Sequence, residues 1–258
     1  MSVLRAKCPL CRTFTAVVIG PGYECHACGR EFGAGLVRVP RAWGNGGEEL
    51  VAAASLELPY PEVAVIDEPS LGEQELALAS ALPERPLVLG GCCCSHVGAI
   101  EGLSARFDRL ALVWVDAHGD LHTPESSPSG NQWGMPLRMV LDSGSVRIED
   151  AVLIGARNLD PPEEVFIGDS GLATGADGID AALAGADAVY VAFDVDVLDP
   201  AELPSFMPVP GGMTLDDAHE LLLLIAGRAT VAGAGLTGAT PDPDNVEPLT
   251  RLVSALGL

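Results

Sequence analysis

The sequence predicts an α/β protein in which a mostly parallel sheet is covered by helices, preceded by a small cysteine-built module. Three observations carry this reading. From residue 36 onward, short apolar runs alternate with helix-length amphipathic segments, the pattern of strands joined by helical crossovers. Two of the runs, Leu110 to Val115 and Ala188 to Phe193, are followed at once by aspartates; open α/β sheets keep their chemistry at the C-terminal ends of strands. Residues 1–35 stand apart, with two Cys-x-x-Cys pairs separated by thirteen residues.

Residues 1–35 read as a zinc ribbon. Cys8, Cys11, Cys25 and Cys28 supply four thiolates, enough to close a tetrahedral structural Zn2+ site with no open position for catalysis. Between the pairs, Thr13 to Ile19 is rich in β-branched residues and Gly20-Pro21-Gly22 marks a turn. Gly29 follows the second pair, where a tight turn around a metal favours glycine. His26 reads as a loop residue rather than a fifth ligand.

Residues 36–258 form the body. Expected strands are 36–39, 63–66, 87–89, 110–115, 151–154, 188–193 and 230–232. Expected helices are 48–55, 71–82, 96–107, 134–141, 179–184, 214–226 and 246–256. Thr214, with Asp216 and Asp217 behind it, is a good helix start. His219 falls in that amphipathic helix and reads as structural.

Composition sets the bounds. The chain has 258 residues, 48% of them hydrophobic, long enough to bury roughly 75% of its unfolded surface without staples. The formal net charge of -22 argues against nucleic acid and anionic membranes as partners. The charge is uneven: residues 1–41 hold six basic and two acidic side chains, so the ribbon is mildly basic and complements an acidic body. It is expected to pack against its own body or a neighbouring subunit. No signal-peptide pattern is seen, and no apolar run approaches membrane-span length. The seven cysteines form two clusters rather than a distributed disulfide framework, which fits a reducing cytoplasm.

The chemistry concentrates in Asp116-Ala117-His118-Gly119-Asp120 and Asp194-Val195-Asp196. Alternate residues of an extended chain share a face, so each set can converge on a point. Several carboxylates and an imidazole gathered together repel unless cations sit among them. Oxygen-rich donors with a little nitrogen suit hard or borderline divalent metals such as Mn2+.

These motifs, followed in order by Ser129-Gly130-Asn131, Asp199-Pro200 and Pro210-Gly211-Gly212-Met213-Thr214, resemble the arginase/agmatinase (ureohydrolase) family over roughly residues 36–258. The resemblance implies a three-layer fold around an eight-stranded parallel sheet, a binuclear Mn2+ centre and homo-oligomers. It implies that Asp116 and Asp194 bridge the metals, that Asp120 binds the first, and that His118 and Asp196 bind the second. A hydroxide shared by the metals would attack the planar carbon of a small cationic guanidino or amidino substrate. Asp120 would orient it and relay its proton. Ser129 and Asn131 would read the substrate's far end.

Three positions depart from the family pattern. Cys93, in Gly90-Gly91-Cys92-Cys93-Cys94-Ser95-His96, stands where the family has a metal-binding histidine. As a ligand its softer thiolate would tilt preference toward Zn2+ or Fe2+; the alternatives are His96 as a substitute ligand, or Cys93 as a space-filling core residue. Trp133 replaces a histidine read as a proton shuttle, and would instead stack on a flat cation or narrow the pocket. Gly238 replaces a glutamate that pairs with guanidinium, so arginine and agmatine become poor substrates unless Asp244 or Glu247 reaches in. His122 reads as a surface polar residue. The cysteine triplet lacks the partners of a Cys–His nucleophile.

The function implied is a metal-dependent hydrolase of linear C–N bonds in guanidino or amidino compounds, with altered specificity. The alternative is a catalytically inactive metal- or ligand-binding protein of the same fold, with the ribbon as an interaction module. A ribbon that contacts nucleic acid is disfavoured by the charge of the body.

Overall fold

The computed structural model describes residues 5–258; residues 1–4 of the expected ribbon lie outside the described residues. Two sheets are present. The small one contains β1 (Arg5–Ala6), β2 (Ala16–Ile19), β3 (Gly22–Cys25) and β4 (Glu31–Phe32), antiparallel and in that order. The large one has eight strands, every pair parallel: β5 (Gly35–Val39), β6 (Glu62–Val65), β7 (Pro86–Gly90), β8 (Leu110–Val115), β9 (Ala151–Ile154), β10 (Ala173–Thr174), β11 (Ala188–Asp194) and β12 (Val231–Thr237). Their order across the sheet is β10-β9-β8-β11-β12-β7-β5-β6.

Helices cover both faces, giving three layers. Within β8, Leu110, Leu112 and Trp114 face one layer while Ala111, Val113 and Val115 face the other. This two-residue alternation with apolar residues on both sides marks a strand buried on both faces. The first layer holds α2 (Leu71–Ala81), α3 (Ser95–Ser104) and α4 (Pro136–Ser143) through Leu78, Ile100 and Val140. The second holds α6 (Ile179–Leu183), α7 (Leu215–Arg228) and α8 (Val246–Ala255) through Ala182, Leu222 and Leu252. Thr214 caps α7 in a reciprocal pair with Asp217. No helix among the described residues is long and apolar enough to cross a membrane.

Three elements of the body differ from expectation: the short edge strand β10 is not among the expected strands, and two others need a physical account. Helix α5 (Pro161–Ser170) is not among the expected helices, and it opens on Pro161 and Pro162. Proline is compatible with the first helical turn, which has no amide partner to lose, and Asp160 with Glu163 completes a capping box there. Strand β12 extends five residues beyond the expected Thr230–Ala232, to Thr237. Its Gly233 and Gly235 are weak strand formers, but each occupies a close approach: a side chain at Gly235 would strike His96 and Tyr190.

The small sheet sits on the open edge of the large one. Lys7 and Glu62 exchange backbone hydrogen bonds at 2.9 and 3.0 Å, pairing the small sheet antiparallel to edge strand β6. Arg12 pairs with Glu57 across the same seam. The module therefore packs against its own body and covers part of an edge whose unpaired amides would otherwise invite pairing with another chain.

Candidate metal centre

Four strand tips build the site. β8 ends at Val115 and is followed by Asp116; β11 ends in Asp194. β7 delivers the cysteine turn at residues 92–94, and β12 ends in Thr237 beside Asp194. β8, β11, β12 and β7 are consecutive neighbours in the sheet, so donors distant in sequence meet side by side.

Turns, rather than the extended chain expected from the motif, make the donors converge. Residues 195–197 form a 3-10 turn in which the Asp194 carboxylate accepts from the Asp196 amide at 2.9 Å. Asp116 Oδ1 accepts from the His118 amide at 2.7 Å, and the Ala117 amide donates to Asp196 Oδ1 at 3.0 Å. Asp120 adopts φ 53°, a left-handed conformation uncommon for a residue with a side chain and a mark of functional sites.

The result is two overlapping donor groups. Cys93, Asp116 and Asp120 form one; Asp116, His118 and Asp196 form the other; in each, the ligand atoms lie within 4.8 Å of one another. Asp116 is common to both. Asp194 closes the gap, with its Oδ2 3.0 Å from Cys93 Sγ. His118 Nδ1 lies 2.8 Å from Asp196 Oδ2.

The electrostatics call for cations. Burial pushes Asp194 up to about 7 and Asp196 up to about 6. Burial also raises Asp116 and lifts Asp120 well above the carboxylate range, with the Asp116 charge adding to it. Burial pulls His118 down, but its hydrogen bonds to Asp116 and Asp196 outweigh that and raise it to about 11; a protonated imidazole there does part of the work of a cation. Asp120 Oδ2 is buried with no hydrogen-bond partner, a costly state unless an ion or water faces it. A buried, crowded, oxygen-rich donor set of this kind fits a pair of divalent cations.

A buried hydrogen-bond chain stands behind the donors. A carboxylate only accepts, so Thr237 Oγ1 donates its one proton to Asp194 Oδ2 at 2.9 Å. His96 Nε2 then donates to Thr237 Oγ1 at 3.4 Å, and His96 Nδ1 accepts from Tyr190 Oη at 3.1 Å. Both ring nitrogens are engaged, so His96 supports the site from behind and leaves no nitrogen for a metal. Burial holds it neutral, with its pKa near 3. Cys93 faces the donors, and its thiol is pushed well up by burial and by the Asp194 charge, a poor setting for a free nucleophile.

The pocket above the donors has a cavity volume of about 190 Å3. Ser129 and Trp133 line it. Asn131 does not: its Oδ1 accepts from the Asn45 amide at 3.0 Å and it borders a separate hollow. Placed there, Asn131 does not line the pocket over the donors. His122 is buried rather than on the surface, because Ser126 and Asp160 bind its two nitrogens at 3.1 and 3.0 Å. Asp244 and Glu247 lie on another part of the surface and do not reach in. Gly238 has φ 70°, and any Cβ there would overlap the Asp194 carboxylate. The position therefore excludes every side chain, a glutamate included.

Several supporting residues escaped the sequence reading. Arg157 donates to the carbonyls of Asp196, Val197 and Val209 at 2.9, 3.2 and 2.6 Å, which ties down the donor turn. Glu163 accepts from the Leu121 and Asp160 amides at 3.0 and 2.9 Å. The Asp160-Pro161-Pro162-Glu163 helix start, a short loop after β9, was the available signal.

The four ribbon cysteines also gather, with their sulfurs within 4.8 Å of one another. Each pair turns alike: Arg12 amide bonds the Cys8 carbonyl at 2.9 Å and Gly29 amide the Cys25 carbonyl at 2.7 Å. Arg12 and Gly29 are both left-handed, at φ 57° and 70°. Neighbouring thiols hold Cys11 up to about 12, whereas the Thr15 hydroxyl brings Cys25 down to about 6.

A wholly parallel three-layer sheet with a carboxylate centre at adjoining strand tips defines a class of α/β metal-site proteins. The chain belongs to the Arginase family, whose model matches residues 57–256. An arginase of Staphylococcus aureus (strain MRSA252) is 35% identical over 199 residues, 67% of this chain and 66% of that protein. The chain thus matches just under two thirds of that relative's length. An arginase of Bacillus caldovelox is 31% identical over 198 residues, 66% of each chain. Among solved structures, arginase from Bacillus subtilis superposes with a TM-score of 0.76 at 26% identity, covering 86% of this chain and 97% of the other.

Proposed function

We propose that the chain is a metal-dependent hydrolase of linear C–N bonds in guanidino or amidino compounds, with a specificity distinct from that of its arginase relatives. The observation that carries this reading is the meeting of Cys93, Asp116, His118, Asp120, Asp194 and Asp196 in one pocket, with Asp116 common to two donor groups. In this reading Asp116 and Asp194 would be shared by two cations, Cys93 and Asp120 would help to hold one, and His118 and Asp196 the other. The donor set would suit two Mn2+, with Zn2+ or Fe2+ as the alternative beside Cys93.

Bound there, such cations neutralise the carboxylates and acidify a water. The residues do the rest. Asp120 uses its unpartnered Oδ2 to take a proton from the attacking water and return it to the departing nitrogen. Asp194, fixed by Thr237 and the Asp196 amide, keeps its oxygens in place. Burial of the donors excludes bulk water. Residues 1–35 serve as a ribbon holding one structural Zn2+ through Cys8, Cys11, Cys25 and Cys28, and residues 36–258 as the hydrolase domain.

The test is metal analysis with a turnover assay. Purified protein supplied with Mn2+ or Fe2+ is expected to hold one zinc and up to two further metals, and to release urea or ammonia from at least one member of a guanidino, amidino and formimino panel. Zinc alone after supplementation would sink the reading. Trp133 and Gly238 favour one second reading, a metal-binding protein without turnover. It predicts full metal loading and silence across that panel.

A further inference from the structure

The pocket over the donors has two unlike walls. One is acidic: Asp116, Asp120, Asp160, Glu163, Asp194 and Asp196 all border it. The other is apolar, formed by Leu50, Trp133, Phe206 and Met207. Trp133 and Phe206 meet edge to face with ring centroids 5.6 Å apart, a favourable aromatic geometry. The indole is seated by design of the backbone around it. Trp133 and Gln132 amides both bond the Trp43 carbonyl, at 3.3 and 2.8 Å. Gly44 and Gly47 make room for the ring: a Cβ at Gly44 would strike it, and one at Gly47 would press on it at 3.1 Å while striking Ala42. Gly238, on the floor, contributes no side chain.

No lysine or arginine borders this pocket. The guanidinium of Arg157 is spent on backbone carbonyls, and Arg41 pairs with Asp67 at 2.6 Å. Even with two divalent cations in place, six carboxylates outnumber the added positive charge. Away from the cations, an anionic end group would find no basic side chain to pair with and would meet a net acidic lining. A second ammonium would find Asp160 already engaged by His122 and Glu163 by two backbone amides.

We propose that the substrate of this site is a guanidinium or amidinium compound whose substituent is uncharged and apolar, an alkyl or aryl group without a carboxylate. This rests on the hydrolase reading above. The cationic head enters toward the unpartnered Asp120 Oδ2, and the substituent lies against Trp133, Phe206, Leu50 and Met207. The wall replaces ionic recognition with apolar burial and a planar π face.

The test uses the Mn2+-loaded full chain and three probes of similar length: butylguanidinium, agmatine and 4-guanidinobutyrate. Binding is measured by calorimetry, and urea release in parallel. Butylguanidinium should bind at least about 10-fold tighter than 4-guanidinobutyrate and tighter than agmatine. Trp133→Ala should weaken butylguanidinium about 10-fold while changing 4-guanidinobutyrate by less than about 3-fold. Met207→Ala, at a half-exposed position, should act in the same direction with a smaller effect. Equal or tighter binding of 4-guanidinobutyrate or agmatine overturns the proposal, as does an equal loss of all three probes in both variants. Absence of binding by every probe overturns it as well. Tight butylguanidinium binding with no urea from any probe sustains the recognition and defeats the hydrolase reading instead.

Discussion

The ribbon and the strand-tip centre are both metal-type donor sets, and they differ in almost everything else. The ribbon takes all four donors from a 21-residue span, Cys8 to Cys28, and all are sulfur. Its two turns are local copies of each other. The strand-tip centre draws oxygen, nitrogen and one sulfur from residues 93 to 196, and its parts meet only because β8, β11, β12 and β7 are neighbours. Four sulfurs in a closed shell suit a structural ion. A mixed set with an unpartnered buried oxygen at Asp120 and a pocket above it suits chemistry. One donor set is local in the chain; the other exists only through the tertiary structure.

The largest expected effect separates the two directly. Asp116→Ala removes the donor common to both body groups. It should abolish body metal binding and lower urea release by about a thousandfold or more, the several kcal/mol that such ions contribute. The ribbon zinc should stay at one per chain by metal analysis. Loss of the zinc as well would mean that the two regions are coupled.

Cys25→Ser is the reciprocal change. It should cost the zinc and lower the thermal midpoint by about 2–4 °C for each kcal/mol lost, read by calorimetry. Body metals should stay bound, since no donor crosses between the groups.

Thr237→Val preserves shape and removes the hydroxyl that joins His96 to Asp194. Outer hydrogen-bond partners of ligands are worth about 10–100-fold in metal affinity. Competitive chelator titration should show a loss of that size at the body centre and none at the ribbon. An unchanged affinity would remove the buried chain from the function.

A pH series tests the carboxylates. Asp194 stands near 7 and Asp196 near 6 against an ordinary 3.8. Both pKa values are raised by folding, so in cation-free protein they contribute stability below the unfolded value, and it is lost as pH rises through 6 to 7. Bound cations hold these groups ionised and reverse that loss. The gain in thermal midpoint on adding Mn2+ should therefore grow between about pH 4 and 7, by roughly 1.4 kcal/mol per pH unit for each proton displaced. A gain independent of pH would place the metal elsewhere. The smallest effect is at the seam: Arg12→Ala, in an exposed pair with Glu57, should leave the midpoint unmoved within error.

Much of the architecture was legible in the chain. The apolar runs at 110–115 and 151–154 coincide with β8 and β9 residue for residue, because strands buried on both faces must be apolar throughout. Helix α5 was not legible, since its opening prolines mean loop or first helical turn and only the Asp160–Glu163 pair decides. His122 was read as surface because nothing local announced Ser126 and Asp160 as its partners.

By itself the sequence determined the alternation of elements, the donor types and their place at strand ends. These follow from local hydrophobic periodicity and from which side chains can carry charge or bind metal. Only the tertiary structure decided that His96 sits behind the centre, that Asn131 borders a separate hollow, that Gly238 must stay bare, and that an aromatic pair lines the same pocket as the acids. Those outcomes depend on distances between segments far apart in the chain, and such distances are set by packing, which no local pattern encodes.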